Sequence, residues 1–196
     1  MSMININLKQ YFLQNHIRFI KISFSGLVIM WVASWICVAR VPVPVTLQPM
    51  GVQIIGLLMS PGHAALAMGS WIVAGALGVP CFALGESGLG SLMGVTCGYF
   101  IGMLAAAPLM SFMLNWARNT WGAHYARSLS FLFATGMVGM MLVLACGWLF
   151  VGYWLGSLET AWSVGVKPFF YADTVKVVLS ALLIKGLGLR RNDQGY

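Results

Sequence analysis

Apolar residues in this chain come in long unbroken runs instead of alternating with polar ones, and the runs are punctuated by charge, proline and glycine. The breaks predict spans over residues 19–38, 49–60, 63–79, 90–116, 128–155 and 169–189. A helix needs about 20 apolar residues to cross the roughly 30 Å of hydrocarbon in a bilayer. The second run is too short for that unless residues 43–48, just before it, also lie at membrane depth. The pattern predicts an all-α integral membrane protein of about six transmembrane helices over residues 19–189. A leading segment, 1–18, and a polar tail, 190–196, flank it.

Composition removes the soluble alternatives. Of 196 residues, 60% are hydrophobic and 8% charged, against about 25% charged in soluble domains. The net charge of +7 does not predict nucleic-acid binding, because the basic residues punctuate apolar runs instead of clustering on one face. Lys9, Arg18, Lys21, Arg118, Arg127, Lys185, Arg190 and Arg191 fall on one side of the predicted spans, and only Arg40 and Lys167 on the other. The excess of positive charge in cytoplasmic connections places both termini in the cytoplasm, with segments 1–18 and 190–196 there too. The first run has no small-residue cleavage site near its end and reads as an uncleaved span.

The connections that then face outward, 40–48, 80–89 and 156–168, are long, whereas the inward turn Ser60-Pro61-Gly62 is bare. Irregular backbone concentrated on one side points to binding there. Prolines 42, 44 and 49 predict an extended stretch in which Thr46 and Gln48 are candidate pocket donors. The loop Gly85-Glu86-Ser87-Gly88-Leu89-Gly90 holds three glycines, which tolerate close backbone approach, around one acid and one hydroxyl; an ordinary turn explains it as well. Gly90, Gly94, Gly98, Gly102 and Ala106 recur every four residues and predict a smooth packing stripe on one helix, with Tyr99 beside it either lining a pocket or filling the core.

Four acids exist: Glu86, Glu159, Asp173 and Asp193. Asp173 and Lys176 lie three apart in an apolar run, hence on one helix face. Ionisable residues within a span cost at least about 2.5 kcal/mol on insertion scales and face a cavity or a partner. They are either a structural pair or a ligand site with an acceptor and a cation. His16, His63 and His124 are scattered, and no enzyme constellation, metal-ligand set or Walker A motif is present. The four cysteines read as small buried hydrophobes.

Taken together in order, Val43-Pro44-Val45-Thr46-Leu47-Gln48, Gly75-Ala76-Leu77-Gly78-Val79-Pro80, Gly85-Glu86-Ser87-Gly88-Leu89-Gly90, Gly94-Val95-Thr96-Cys97-Gly98-Tyr99 and Asp173-Thr174-Val175-Lys176 resemble the BioY family. These are the biotin-specific S components, or substrate-binding membrane subunits, of energy-coupling-factor (ECF) transporters. The resemblance runs from about Pro42 to Leu189. It implies an ECF S-component bundle of six helices in a prokaryotic plasma membrane. A biotin pocket would lie near the outer face, closed by the first and third loops. Asp173 would hold the ureido group and Lys176 the carboxylate. The implied partners are a coupling transmembrane protein and two cytoplasmic ATPases; biotin is cargo, and no cofactor is implied. The family's Gly-Pro-Thr-Gly-Gly-Tyr pattern becomes Gly94-Val95-Thr96-Cys97-Gly98-Tyr99 here, Ala172 replaces the glycine before the last-helix acid, and Glu86 stands where the loop is usually neutral. An S component for another vitamin and a non-transporting membrane scaffold are the alternatives to biotin capture.

Overall fold

No proline or glycine interrupts the chain between Ser2 and Ser25, and the first helix, α1, runs unbroken from Ser2 to Trp35. The helix of the first span therefore extends back through residues 2–18. The computed structural model describes residues 2–39 and 45–186. Arg40, Pro42, Pro44, the last three residues of the predicted sixth span and the tail 190–196 lie outside the described residues.

After α1 the chain becomes extended, as the prolines require. β1 (Cys37–Ala39) pairs antiparallel with β2 (Val45–Thr46), with Cys37 opposite Thr46. α2 (Gln48–Leu58) and α3 (Pro61–Ala76) each carry a proline in the first turn, where its missing N–H removes no intrahelical bond. At 11 residues α2 rises only about 16 Å, so it cannot cross a bilayer alone. Val45 and Thr46 before it are buried at 6% and 4% exposure, which puts extended backbone inside the protein, where its polar groups find partners.

A 3₁₀ turn at Ala83–Gly85 leads to α4 (Leu89–Met93), and α5 (Cys97–Trp121) follows. The single span predicted over 90–116 is thus broken. Gly94 is extended, with φ −76 and ψ −173, and α5 restarts at Cys97 and continues five residues past the predicted end. A glycine followed by two β-branched residues, Val95 and Thr96, is the weakest helical stretch in that run. The glycine stripe is divided accordingly: Gly98, Gly102 and Ala106 lie on α5, whereas Gly90 and Gly94 do not.

α6 (Ala123–Ala126) turns the chain into α7 (Leu129–Leu155), whose first turn is capped by Ser128 accepting the Phe131 N–H. The connection 156–168, read from sequence as loop, contains α8 (Leu158–Gly165), capped by Ser157 accepting the Thr160 N–H. α9 (Lys167–Gly186) ends the described chain.

Helices α5 and α7 form the central pair. Side chains added at Gly98 or Gly102 would strike the α7 backbone at Cys146 and Val143, so the two helices approach as closely as glycine permits. α2 and α3 pack on α5, α9 packs on α7 and α2, and α1 lies outside α2 and α3. α5 and α7 are each long and apolar enough to cross a membrane by themselves. Exposed aromatics mark both ends of the bundle, Trp116, Trp121 and Tyr125 at one and Tyr153, Trp154, Trp162 and Tyr171 at the other, in the manner of interfacial belts.

Candidate binding site

At the Tyr153 end of the bundle, the loops and helix ends enclose a cavity of about 650 Å³. Its wall is mostly apolar, built from Phe82, Phe100, Met103, Val143, Leu144, Val151 and Phe169. Into this wall α9 sets Asp173 and Lys176, which are 3% and 6% exposed. Their three-residue spacing brings Lys176 Nζ to 2.7 Å from Asp173 Oδ1, and the ammonium also donates to the Thr46 carbonyl at 2.8 Å. A buried ammonium held by a carboxylate and a carbonyl keeps its charge compensated, and it still has a third donor.

Thr46 is the start of a polar chain that reaches α1. Its hydroxyl donates to Gln48 Oε1 at 3.0 Å, Gln48 Nε2 donates to Ser34 Oγ at 3.0 Å, and Ser34 donates to the Met30 carbonyl at 2.7 Å. The extended segment is therefore fixed from both sides, by α9 and by α1. Thr46 and Gln48 both line the cavity.

The loop at 80–88 is tied down just as firmly. The indole N–H groups of Trp31 and Trp35 both donate to the Pro80 carbonyl, at 3.0 and 2.9 Å. Trp71 donates to the Cys81 carbonyl at 2.8 Å, and the Gly88 N–H donates to the Gly75 carbonyl at 2.7 Å. The Phe82 ring occupies the space that a side chain at Gly75 would need. Burial pushes the Cys81 thiol up from its ordinary range, so it stays a neutral packing group. Leu84 adopts a left-handed conformation, φ 58, in the tight turn that presents this loop.

The sequence-derived candidates separate into two groups. Thr46, Gln48, Glu86, Gly90, Tyr99, Asp173 and Lys176 meet at the cavity wall. Gly85, Ser87 and Gly88 do not line it. Gly85 and Gly88 have φ of +80 and +89, so they serve the turn; the Ser87 carbonyl accepts from the Ser91 hydroxyl at 3.2 Å. Tyr99 does two things: it lines the cavity, and its hydroxyl donates to the Gly165 carbonyl at 2.6 Å, joining α5 to α8. A side chain at Gly147 would collide with its ring. The apolar wall, Ser34, and α8 with Thr160 and Val164 were not singled out from sequence. Aromatics and methionines in apolar runs do not distinguish pocket from core. For α8 the Ser157-x-x-Thr160 cap was a readable signal.

Because the Asp173 and Lys176 head groups are in contact, they present an acceptor and a donor side by side to the cavity.

Fold and site together define a helical membrane protein that encloses a small-molecule cavity at one end of its bundle. The chain belongs to the BioY family, whose model matches residues 8–192. It is 29% identical over 160 residues to the biotin transporter BioY of Thermotoga maritima, a match covering 82% of this chain and 88% of that protein. It is 30% identical over 161 residues to the biotin transporter BioY of Rhodobacter capsulatus, covering 76% and 80%. The crystal structure of the S-component for biotin from an ECF-type ABC transporter superposes with a TM-score of 0.79 at 20% identity, over 90% of this chain and 94% of that one, which establishes the fold. The chain is a membrane transport subunit and not an enzyme.

Proposed function

We propose that this chain captures biotin for uptake, as the S component of an energy-coupling-factor transporter. Family membership and the similarity to biotin transporters support the class. The observation that carries the substrate is the Asp173–Lys176 contact in an otherwise apolar cavity. A urea edge places an N–H beside a carbonyl oxygen, and a carboxylate beside an ammonium offers the matching acceptor and donor. The apolar thiophane ring fused to the urea then meets Phe82, Phe100 and Phe169, and the four-methylene chain points away from the pair. This revises the roles implied by the resemblance, in which Lys176 took the carboxylate: the two residues act as one unit on the ureido end.

The same reading puts the cavity on the outer face of a prokaryotic plasma membrane, with both termini in the cytoplasm. It assigns ATP hydrolysis to other chains, two cytoplasmic ATPases joined through a coupling membrane protein, since no nucleotide motif is present here. Equilibrium binding of biotin and a panel of other vitamins to the purified chain tests the proposal. Saturable binding of biotin alone supports it, and tighter binding of a vitamin lacking a cyclic urea overturns it.

A further inference from the structure

Among the described residues, the charged side chains that wall the cavity are Asp173, Lys176 and Glu86. Lys176 already spends two donors on Asp173 and on the Thr46 carbonyl. The inner pair is therefore internally compensated, and among the described wall residues the remaining charge is the Glu86 carboxylate. It comes from a different wall. The loop at 80–88 is held by α1 and α3 through Trp31, Trp35 and Trp71, whereas α9 packs on α2, α7 and α8.

Glu86 is exposed where the inner pair is buried, so it stands at the cavity's mouth. Its position is set by backbone bonds on both of its polar groups: its N–H donates to the Ala83 carbonyl at 3.1 Å, and its carbonyl accepts from the Phe82 N–H at 3.0 Å. On the proposed reading, a ligand seated with its urea on Asp173 and Lys176 leaves its tail for the rest of the wall, of which exposed Glu86 is part. There a free carboxylate meets a like charge, whereas an amide N–H or an ammonium meets an acceptor.

We propose that Glu86 is a specificity-determining residue that makes this pocket favour biotin-class ligands whose tail carboxyl is amidated, above all with an ammonium-bearing amine, over the free acid. The inference rests on the reading that the biotin ring system fills the cavity. It extends the substrate class to amine conjugates of biotin.

The test uses the purified full chain and three probes: biotin, its primary amide and its aminoethyl amide, which carries an ammonium. Affinities are measured for the parent, Glu86→Gln and Glu86→Lys at low and high salt. The parent should bind the aminoethyl amide more tightly than the acid, and Glu86→Gln should shrink that ratio about tenfold. Glu86→Lys should reverse the preference, and 0.5 M salt should weaken it in the parent and in Glu86→Lys but leave Glu86→Gln nearly unchanged, because the charge is exposed to solvent. An aminoethyl-to-acid ratio that is the same in all three proteins overturns the role of Glu86 while leaving biotin capture intact. No binding of any probe by the parent refutes the ligand reading, and this inference with it.

Discussion

The Lys176 ammonium donates to the Thr46 carbonyl at 2.8 Å, across 130 positions of sequence. This bond joins the last helix to the extended segment between α1 and α2, and the Ser34–Gln48–Thr46 chain continues it to α1. The pocket's ion pair is thus also a structural tie between three elements.

Lys176→Met should therefore be destabilising. It leaves Asp173 buried without a cation and the Thr46 carbonyl without its donor, and breaking a buried pair this way costs about 3 to 5 kcal/mol. Thermal unfolding in detergent should show a clear fall in Tm. On the proposed reading, in which Lys176 meets the ureido end, the ratio of affinities for biotin and its primary amide should be the same as in the parent. A Met variant that loses only acid binding would return Lys176 to the carboxylate.

Tyr99→Phe should loosen α8 without unfolding the bundle. The lost bond to the Gly165 carbonyl contributes about 1 kcal/mol, and more if that carbonyl finds no water. Hydrogen exchange at residues 158–165 should quicken and ligand dissociation should speed up several-fold. Unchanged exchange in α8 would show that its other ties to α7, Leu158 packed on Gly152 and the Trp148 N–H donating to the Leu158 carbonyl, hold it without the Tyr99 bond.

Gly98→Leu should damage the α5–α7 seam. Any side chain there meets the Cys146 carbonyl and Phe150, and backbone cannot yield as a flexible side chain does. Overpacking commonly costs about 1 to 3 kcal/mol, read as a lower Tm and poorer recovery of folded protein. Gly90→Leu provides the contrast: open space surrounds Gly90, so stability should hold while binding falls, since Gly90 lines the cavity.

The helices that build the bundle were legible because apolar runs ended at charges and at Pro49, Pro61 and Gly156. The break at Gly94–Thr96 was hidden by the four-residue glycine spacing, which continues in register across it. Period alone cannot reveal that the chain leaves the helix between two glycines. Asp173 and Lys176 were legible for the opposite reason: an ionisable pair in an apolar run needs an explanation. Their contact was implicit in the spacing, but its meaning for ligand shape needed the 2.7 Å distance. Gly85 and Gly88 read from sequence either as ligand-facing glycines or as a turn, and their positive φ meets the turn's demand, which composition expresses identically. The Trp31, Trp35 and Trp71 bonds to Pro80 and Cys81 join positions 10 to 49 residues apart, and no local pattern encodes such pairings.

The central claim, that Asp173 and Lys176 receive the ureido end of the ligand as one unit, is tested most directly by a double-mutant cycle. Affinities of biotin and of biotin methylated on a ureido nitrogen are measured for the parent and for Asp173→Asn. Losing a charge-assisted bond costs roughly 1.5 to 3 kcal/mol, about tenfold to more than a hundredfold in affinity. The account predicts that the parent strongly prefers biotin, that Asp173→Asn has a lower Tm because the pair is broken but in its folded fraction binds biotin tens-fold more weakly, and that most of the discrimination against the methylated ligand disappears. A folded Asp173→Asn protein that binds biotin as tightly as the parent and rejects the methylated ligand to the same degree would contradict it.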